Sequence, residues 1–212
     1  MAGKGYRKDE KMSSKLIITI GREFGAEGHE IGKELAERLG FDFYDKDMLA
    51  LAAKKSGIDI NVLASSDESI MGHFLSPYLT IGKLSPSMGD KLFQVQTDIV
   101  HDLAAKGGCV IIGRLADYIL KDNPYCLKVF VFAPMEKRIE IIKNKHQIDE
   151  ASAKKLVKTM DSARRNYYTY YSDGKWDRKE GKDILLNRAA FSVAECVDIL
   201  EAMARAKESS LE

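Results

Sequence analysis

An α/β domain built on a parallel sheet is the fold class this sequence predicts, and two observations predict it. Five short apolar runs, at 16–20, 41–44, 109–112, 127–132 and 184–186, recur along the chain. Most lack polar alternation, as strands covered on both faces do. Segments of helical period stand between them, and strands alternating with helices form a doubly wound layer structure. In such sheets ligands bind beyond the carboxyl ends of the strands.

The elements follow in order. Residues 1–14 read as a disordered leader. The strand at 16–20 is followed by a helix over 28–39, where Ile31, Leu35 and Leu39 share one stripe and Gly40 ends it. The strand at 41–44 leads to an irregular stretch over 57–90, broken by Ser66, Ser69, Gly72, Pro77, Gly82, Pro86 and Gly89 and read as an inserted flap. A helix over 91–106 places Leu92, Val95, Ile99 and Leu103 together ahead of the third strand. After the fourth strand, Pro134 suits the first turn of a helix over 135–144, and a long helical pattern covers 150–171. Ser192 and Glu195 form a capping box for the last helix, and 206–212 read as a frayed tail. One domain spanning 15–205 results.

Composition narrows the function. The 33 Lys and Arg against 32 Asp and Glu leave a formal charge of +1, which argues against holding nucleic acid by bulk charge. No apolar run approaches the roughly 20 residues needed to cross a bilayer, and the first 15 residues are polar and lysine-rich, without a signal core. Cys109, Cys126 and Cys196 are widely spaced in apolar surroundings, the pattern of reduced core thiols rather than a metal site. Small-molecule partners in the cytoplasm, with no nucleic acid polymer and no membrane, are the expectation; the oligomeric state stays open.

The chemistry lies where the first strand runs into Gly21-Arg22-Glu23-Phe24-Gly25-Ala26-Glu27-Gly28-His29-Glu30 and then a helix. A glycine-bearing turn between strand and helix brings backbone N–H groups and a positive dipole end to one point, the geometry of a phosphate cradle. Arg22, Gly25, Ala26, Gly28, His29 and Glu30 are the candidate phosphate ligands. The strict pattern GxxxxGK[ST] is absent: Gly28-His29-Glu30 replaces Gly-Lys-Ser/Thr, so the lysine charge and the Mg²⁺-binding hydroxyl are missing. A plain strand–helix turn is the alternative reading of the loop taken alone.

Residues 17–48 (IITIGREFGAEGHEIGKELAERLGFDFYDKDM) resemble the opening of the cytidylate kinase-like family, relatives of the bacterial CMP kinases. Three further stretches match in order: GGCVIIGRLADY at 107–118, with Gly113-Arg114; LKVFVFAPMEKRI at 127–139, with Arg138; and DSARRNYY at 161–168, with the family's Asp-x-x-Arg spacing. The resemblance implies a P-loop NTPase-type fold with a five-stranded parallel sheet, an acceptor-binding insertion (57–90) and an arginine-bearing helical lid (135–176). It implies phosphoryl transfer from ATP, with Mg²⁺ held mainly by nucleotide phosphates and water, to a nucleoside monophosphate, CMP or dCMP first. The rival is a catalytically weak nucleotide-binding sensor or scaffold, which the missing lysine motivates.

Phosphoryl transfer needs two anions aligned and positive charge on the transferring group, and arginine's planar fork suits both tasks. Arg114 follows a strand and a glycine, at the edge where ligands bind, and by resemblance holds the acceptor phosphate. Asp161, Arg164, Arg165 and Tyr168 stand at i, i+3, i+4 and i+7 and are expected on one helix face. There Arg164 would reach the transferred phosphate or the acceptor and Asp161 would orient it, with Arg165 and Tyr168 on the acceptor side; a solvated Asp–Arg pair is the alternative. Arg138 is the candidate lid arginine over the ATP phosphates, and Lys143 and Lys145 read as solvated charges. Asp45, after the second strand, either accepts from the nucleotide or Mg²⁺-bound water or caps a helix carrying Met48 and Leu49. Glu30 either replaces the hydroxyl as an indirect metal contact or serves the helix dipole. No residue set is assigned as a protein-borne metal site.

Overall fold

The computed structural model describes residues 14–45, 86–172, 176–177 and 179–211. Five parallel strands, β1 (Ile17–Arg22), β2 (Asp42–Tyr44), β3 (Cys109–Ile112), β4 (Cys126–Phe132) and β5 (Ile184–Asn187), lie in the order β2-β3-β1-β4-β5. Helices α1 (Gly28–Leu39), α2 (Pro86–Lys106), α3 (Ala116–Ile119), α4 (Met135–His146), α5 (Glu150–Tyr171) and α6 (Val193–Ser209) connect and flank them. The five strands fall where the apolar runs predicted. Most of the 57–90 stretch, the Met48–Leu49 helix and residues 1–13 lie outside the described residues.

Alternation along β1 assigns its faces. Ile18 and Ile20 enter one core with Ile31 and Leu35 of α1 and Val197 and Leu200 of α6. Ile17 enters the opposite core with Ile99, Val100 and Leu103 of α2 and with Cys109 and Ile111 of β3. Because both faces are covered, β1 reads as a continuous apolar run. Its register, Thr19 between Ile111 and Lys128, brings the ends of β1, β3 and β4 together at one sheet edge.

α1 has the predicted bounds and ends on Gly40 at φ 67°. α2 begins five residues earlier than expected, with Pro86 at its first position, where a missing N–H costs nothing. Pro134 is the N-cap of α4 and not a helical residue. The four-residue α3 was not expected; Leu115 precedes it in a left-handed conformation that apolar spacing does not encode. The Ser192–Glu195 capping box is present in both directions, and α6 continues through Ser209, into the segment expected to fray.

α4 and α5 pack against each other as a helical hairpin over the end of β1, with Ile139, Ile142, Ala153, Leu156, Val157 and Met160 enclosing Phe24 of the loop. Cys109, Cys126 and Cys196 are buried free thiols. No helix among the described residues is long and apolar enough to cross a membrane.

Candidate active site

The loop between β1 and α1 is held from outside before it offers anything to a ligand. It carries Glu23, Glu27 and Glu30, which would repel an anion if left bare. Each has a cationic partner on another element. Glu23 lies 3.2 Å from Nε of Arg138 and accepts from the Ala133 amide at 3.1 Å. Glu27, the left-handed N-cap of α1 at φ 54°, sends its carboxylate 2.6 Å to Arg188 instead of capping the helix. Glu30 pairs with Lys145 of α4. Burial raises the Glu23 carboxyl, against the lowering by the Ala133 amide and Arg138. Glu30 is held below its ordinary value: burial opposes ionisation, but the Lys145 hydrogen bond and charge outweigh it.

Gly28 opens α1 with no room for a side chain, since a Cβ there would stand 2.7 Å from Cβ of Arg22. Gly25 has φ 84° and faces the Arg138 carbonyl across a gap a Cβ would close to 2.9 Å. Its requirement is therefore set by α4 as well as by the turn. Glu27 makes no side-chain cap bond to α1, and the Glu30 carboxylate takes its own amide; a helix N-terminus of this kind presents N–H groups and a positive dipole end that favour anions.

A cavity of about 320 Å³ opens over this turn. Of the sequence-predicted residues, Arg22, Gly25, Gly28, His29, Glu30, Asp45, Arg114 and Arg164 line it together. Asp45, directly after β2, accepts from His29 at 3.2 Å and lies 3.7 Å from Arg22. Burial would raise its carboxyl, but the His29 hydrogen bond and the Arg22, His29 and Arg114 charges bring it below the ordinary value. Three consecutive left-handed residues, Gly113 (φ 69°), Arg114 (60°) and Leu115 (54°), turn the chain after β3. Left-handed conformations are costly for side-chain-bearing residues and cluster at functional sites. Arg164 of α5 donates to the Arg22 carbonyl at 3.0 Å and lies 5.5 Å over the Phe24 ring.

A second, narrower cleft lies beside the first, lined by Gly21, Gly113, Phe130, Tyr167, Tyr168 and Trp176, with Asp117 and Lys182. Arg22, Arg114 and Arg164 line both spaces, so three guanidinium-bearing residues from three elements stand where they meet. Tyr168 belongs to this second space, donating to Asp117 at 3.0 Å; burial, then the Asp117 charge, push its phenol up.

Other expected residues are placed differently. Ala26, within the loop, is fully buried. Arg138 and Asp161 lie under the loop, 4 % and 7 % exposed, and do not line the cavity. Arg138 donates to Asp161, to the Phe24 carbonyl at 3.2 Å and to the Ala133 carbonyl at 2.9 Å, while Asp161 accepts from the Phe24 amide at 2.8 Å. The expected shared face of α5 holds for Asp161, Arg164 and Tyr168, which are buried, but not for Arg165. Arg165 is half exposed and pairs with Asp177 at 2.9 Å, because the extra helical step carries it past the edge of the buried stripe.

The sequence reading missed Glu23, Glu27, Asp117, Lys182 and Arg188, whose partners are remote in sequence, and it set Lys145 aside as solvated. Lys145 stands seven residues after Arg138 and so on the same side of α4, a spacing that could have flagged it.

Comparison with known proteins follows the same lines. The profile of the cytidylate kinase-like family matches residues 17–190. No curated protein matches the chain. Among solved structures, an uncharacterized protein from Eubacterium ventriosum ATCC 27560 is 25% identical, with a TM-score of 0.70 over 90% of this chain and 98% of that one. Shikimate kinase from Bacteroides thetaiotaomicron, 13% identical, has a TM-score of 0.52 over 90% of this chain and 98% of that one, a likeness of fold alone. TT1252 from Thermus thermophilus, also 13% identical, reaches 0.50 over 89% and 95%.

Proposed function

This chain belongs to the cytidylate kinase-like family, and from that premise we propose that it transfers the terminal phosphoryl group of ATP to a nucleoside monophosphate, with CMP and dCMP as first acceptors. The observation that carries this reading is the convergence of Arg22, Arg114 and Arg164 where the two spaces meet. A reaction joining two phosphates needs positive charge between them, and preorganised guanidinium groups supply it without reorganisation.

In this reading the ATP phosphates lie over Gly28, His29 and Glu30, and the acceptor phosphate lies against Arg114. An acceptor phosphate oxygen bonds to the γ-phosphorus while the bond from that phosphorus to the bridging oxygen breaks, and ADP leaves with the electron pair. Arg164 neutralises charge on the group in transit, and Arg22 is shared between donor and acceptor. Arg138 and Asp161 act as positioning residues: they hold Phe24 at both its amide and its carbonyl and so set the loop's shape. Arg165 contributes from outside, through Asp177 and its position over the Trp176 ring.

No group of three or more His, Cys, Asp or Glu among the described residues is placed to hold a metal. In this reading the ion is carried on the ATP phosphates, and Asp45 on the cavity wall takes a hydrogen bond from its waters, while the Glu30 carboxylate is engaged by Lys145. Mg²⁺ so held would neutralise phosphate charge.

The test is ADP release across the nucleoside monophosphates. Turnover with at least one is expected, and Arg114→Ala should lower kcat/KM by roughly 10²-fold or more. Absence of turnover with every acceptor rejects the reading. One observation favours a weaker catalyst or sensor: His29, in the lysine's place, is paired to Asp45. ATP binding by calorimetry without turnover would establish that second reading.

A further inference from the structure

We propose that Lys145, near the end of α4, supplies the phosphate site with the ammonium that the loop itself lacks; this rests on the reading of the cavity as the ATP phosphate site. The sequence position that would carry the lysine holds His29, and the structure turns that side chain toward β2. Its ring stands perpendicular to that of Phe43 at a centroid distance of 5.4 Å, and its Nε2 is given to Asp45 at 3.2 Å. α4 forms part of the wall of the same cavity, and Lys145 lines it together with Gly28 and Glu30.

The ion pair with Glu30 fixes where the ammonium stands. Glu30 lies in the first turn of α1, so Nζ of Lys145 is held within hydrogen-bond reach of a group at the helix end where an anion would sit. An ammonium has three donors. Glu30 takes one, and the half-exposed Lys145 side chain can direct another at a phosphate oxygen without leaving its partner. Glu30 thus aims the lysine.

The backbone that carries Lys145 is rigidly placed. α4 is packed through Ile139 and Ile142 against α5 and Phe24, and Arg138, seven residues earlier, bonds to the loop carbonyl of Phe24. The neighbouring His146 also lines the cavity, and burial and the Lys145 charge push its imidazole toward the neutral form. A last-turn lysine that only complements the helix dipole would need no partner on another element. Lys145 crosses to α1.

Calorimetric titration of the full chain with ATP and Mg²⁺ tests this, with melting curves to verify folding. Lys145→Met should weaken ATP binding about 10-fold or more, as loss of a charge-assisted contact does, while Lys145→Arg should stay within about three-fold. Glu30→Gln should cost less than Lys145→Met, because the ammonium remains. Adding His29→Lys to Lys145→Met should recover most of the loss, since the charge returns from the loop side. Equal weakening by Glu30→Gln and Lys145→Met would overturn the proposal, because a mere tie between α1 and α4 is cut equally by either change. Unchanged binding in Lys145→Met would overturn it too. A wild-type chain that binds no ATP would remove the ATP reading itself, a result separable from the other two.

Discussion

Asp161→Ala should destabilise the fold by about 3 kcal/mol, at the lower end of the range for breaking a buried ion pair. The magnitude follows from the surroundings. Asp161 is 7 % exposed and Arg138 is 4 % exposed, so water cannot replace the lost carboxylate. The Phe24 amide loses its acceptor as well. The lower end applies because Glu23 remains 3.2 Å from Arg138 and keeps part of the guanidinium charge neutralised. For a domain of this size the loss corresponds to a fall in Tm of about 6–12 °C. Urea unfolding at neutral pH is the assay, with a shifted midpoint and an unchanged slope as the signature. Asp161→Asn, which retains an oxygen for the Phe24 amide but no charge, should fall between the parent and Asp161→Ala. A loss under about 1 kcal/mol in Asp161→Ala, the scale of a solvated surface pair, would refute the reasoning. So would an Asp161→Asn variant of parental stability whose activity is abolished, because that pattern belongs to a residue that touches substrate.

Two further outcomes rest on ionisation. Asp45 has a lowered pKa in the folded state, so its contribution to stability is present above the unfolded value near 3.8 and is lost as pH falls through the lower folded value. Asp45→Asn should therefore be less stable than the parent at pH 7, with the two urea midpoints converging in strong acid; a difference that is the same at pH 7 and in strong acid would contradict this. Burial raises the Cys109 thiol to about 12 and the Cys126 thiol to about 11. At pH 8 the thiolate fraction of Cys126 is thus about 10⁻³, and a thiol reagent should label both residues slowly until denaturant is added. Rapid stoichiometric labelling of the native chain would refute that burial.

How much of the site could be read from the chain depended on how local its causes are. The Gly28 entry to α1, the Arg114 turn after β3 and the Asp45 position after β2 follow from strand ends, because a parallel sheet places every carboxyl end on one edge. Arg138 and Asp161 stand out in the sequence, but what their side chains touch does not follow from spacing. Only the packed structure shows their side chains meeting beneath Phe24. Arg165 shows the limit of helical periodicity: one step from Arg164 it leaves the buried stripe, and the width of that stripe is decided by what packs against α5.

The sequence alone determined the alternation of strands and helices, the ends of α1 and α5, and the loop that lacks its lysine, because propensity, period and capping act over a few residues. Tertiary structure decided which charges share a space. Glu23 meets Arg138, Glu27 meets Arg188 and Glu30 meets Lys145 across separations from 115 to 161 residues. Electrostatic pairing is strong only at a few ångströms and within surroundings of reduced dielectric, and both the distance and the dielectric are products of the fold.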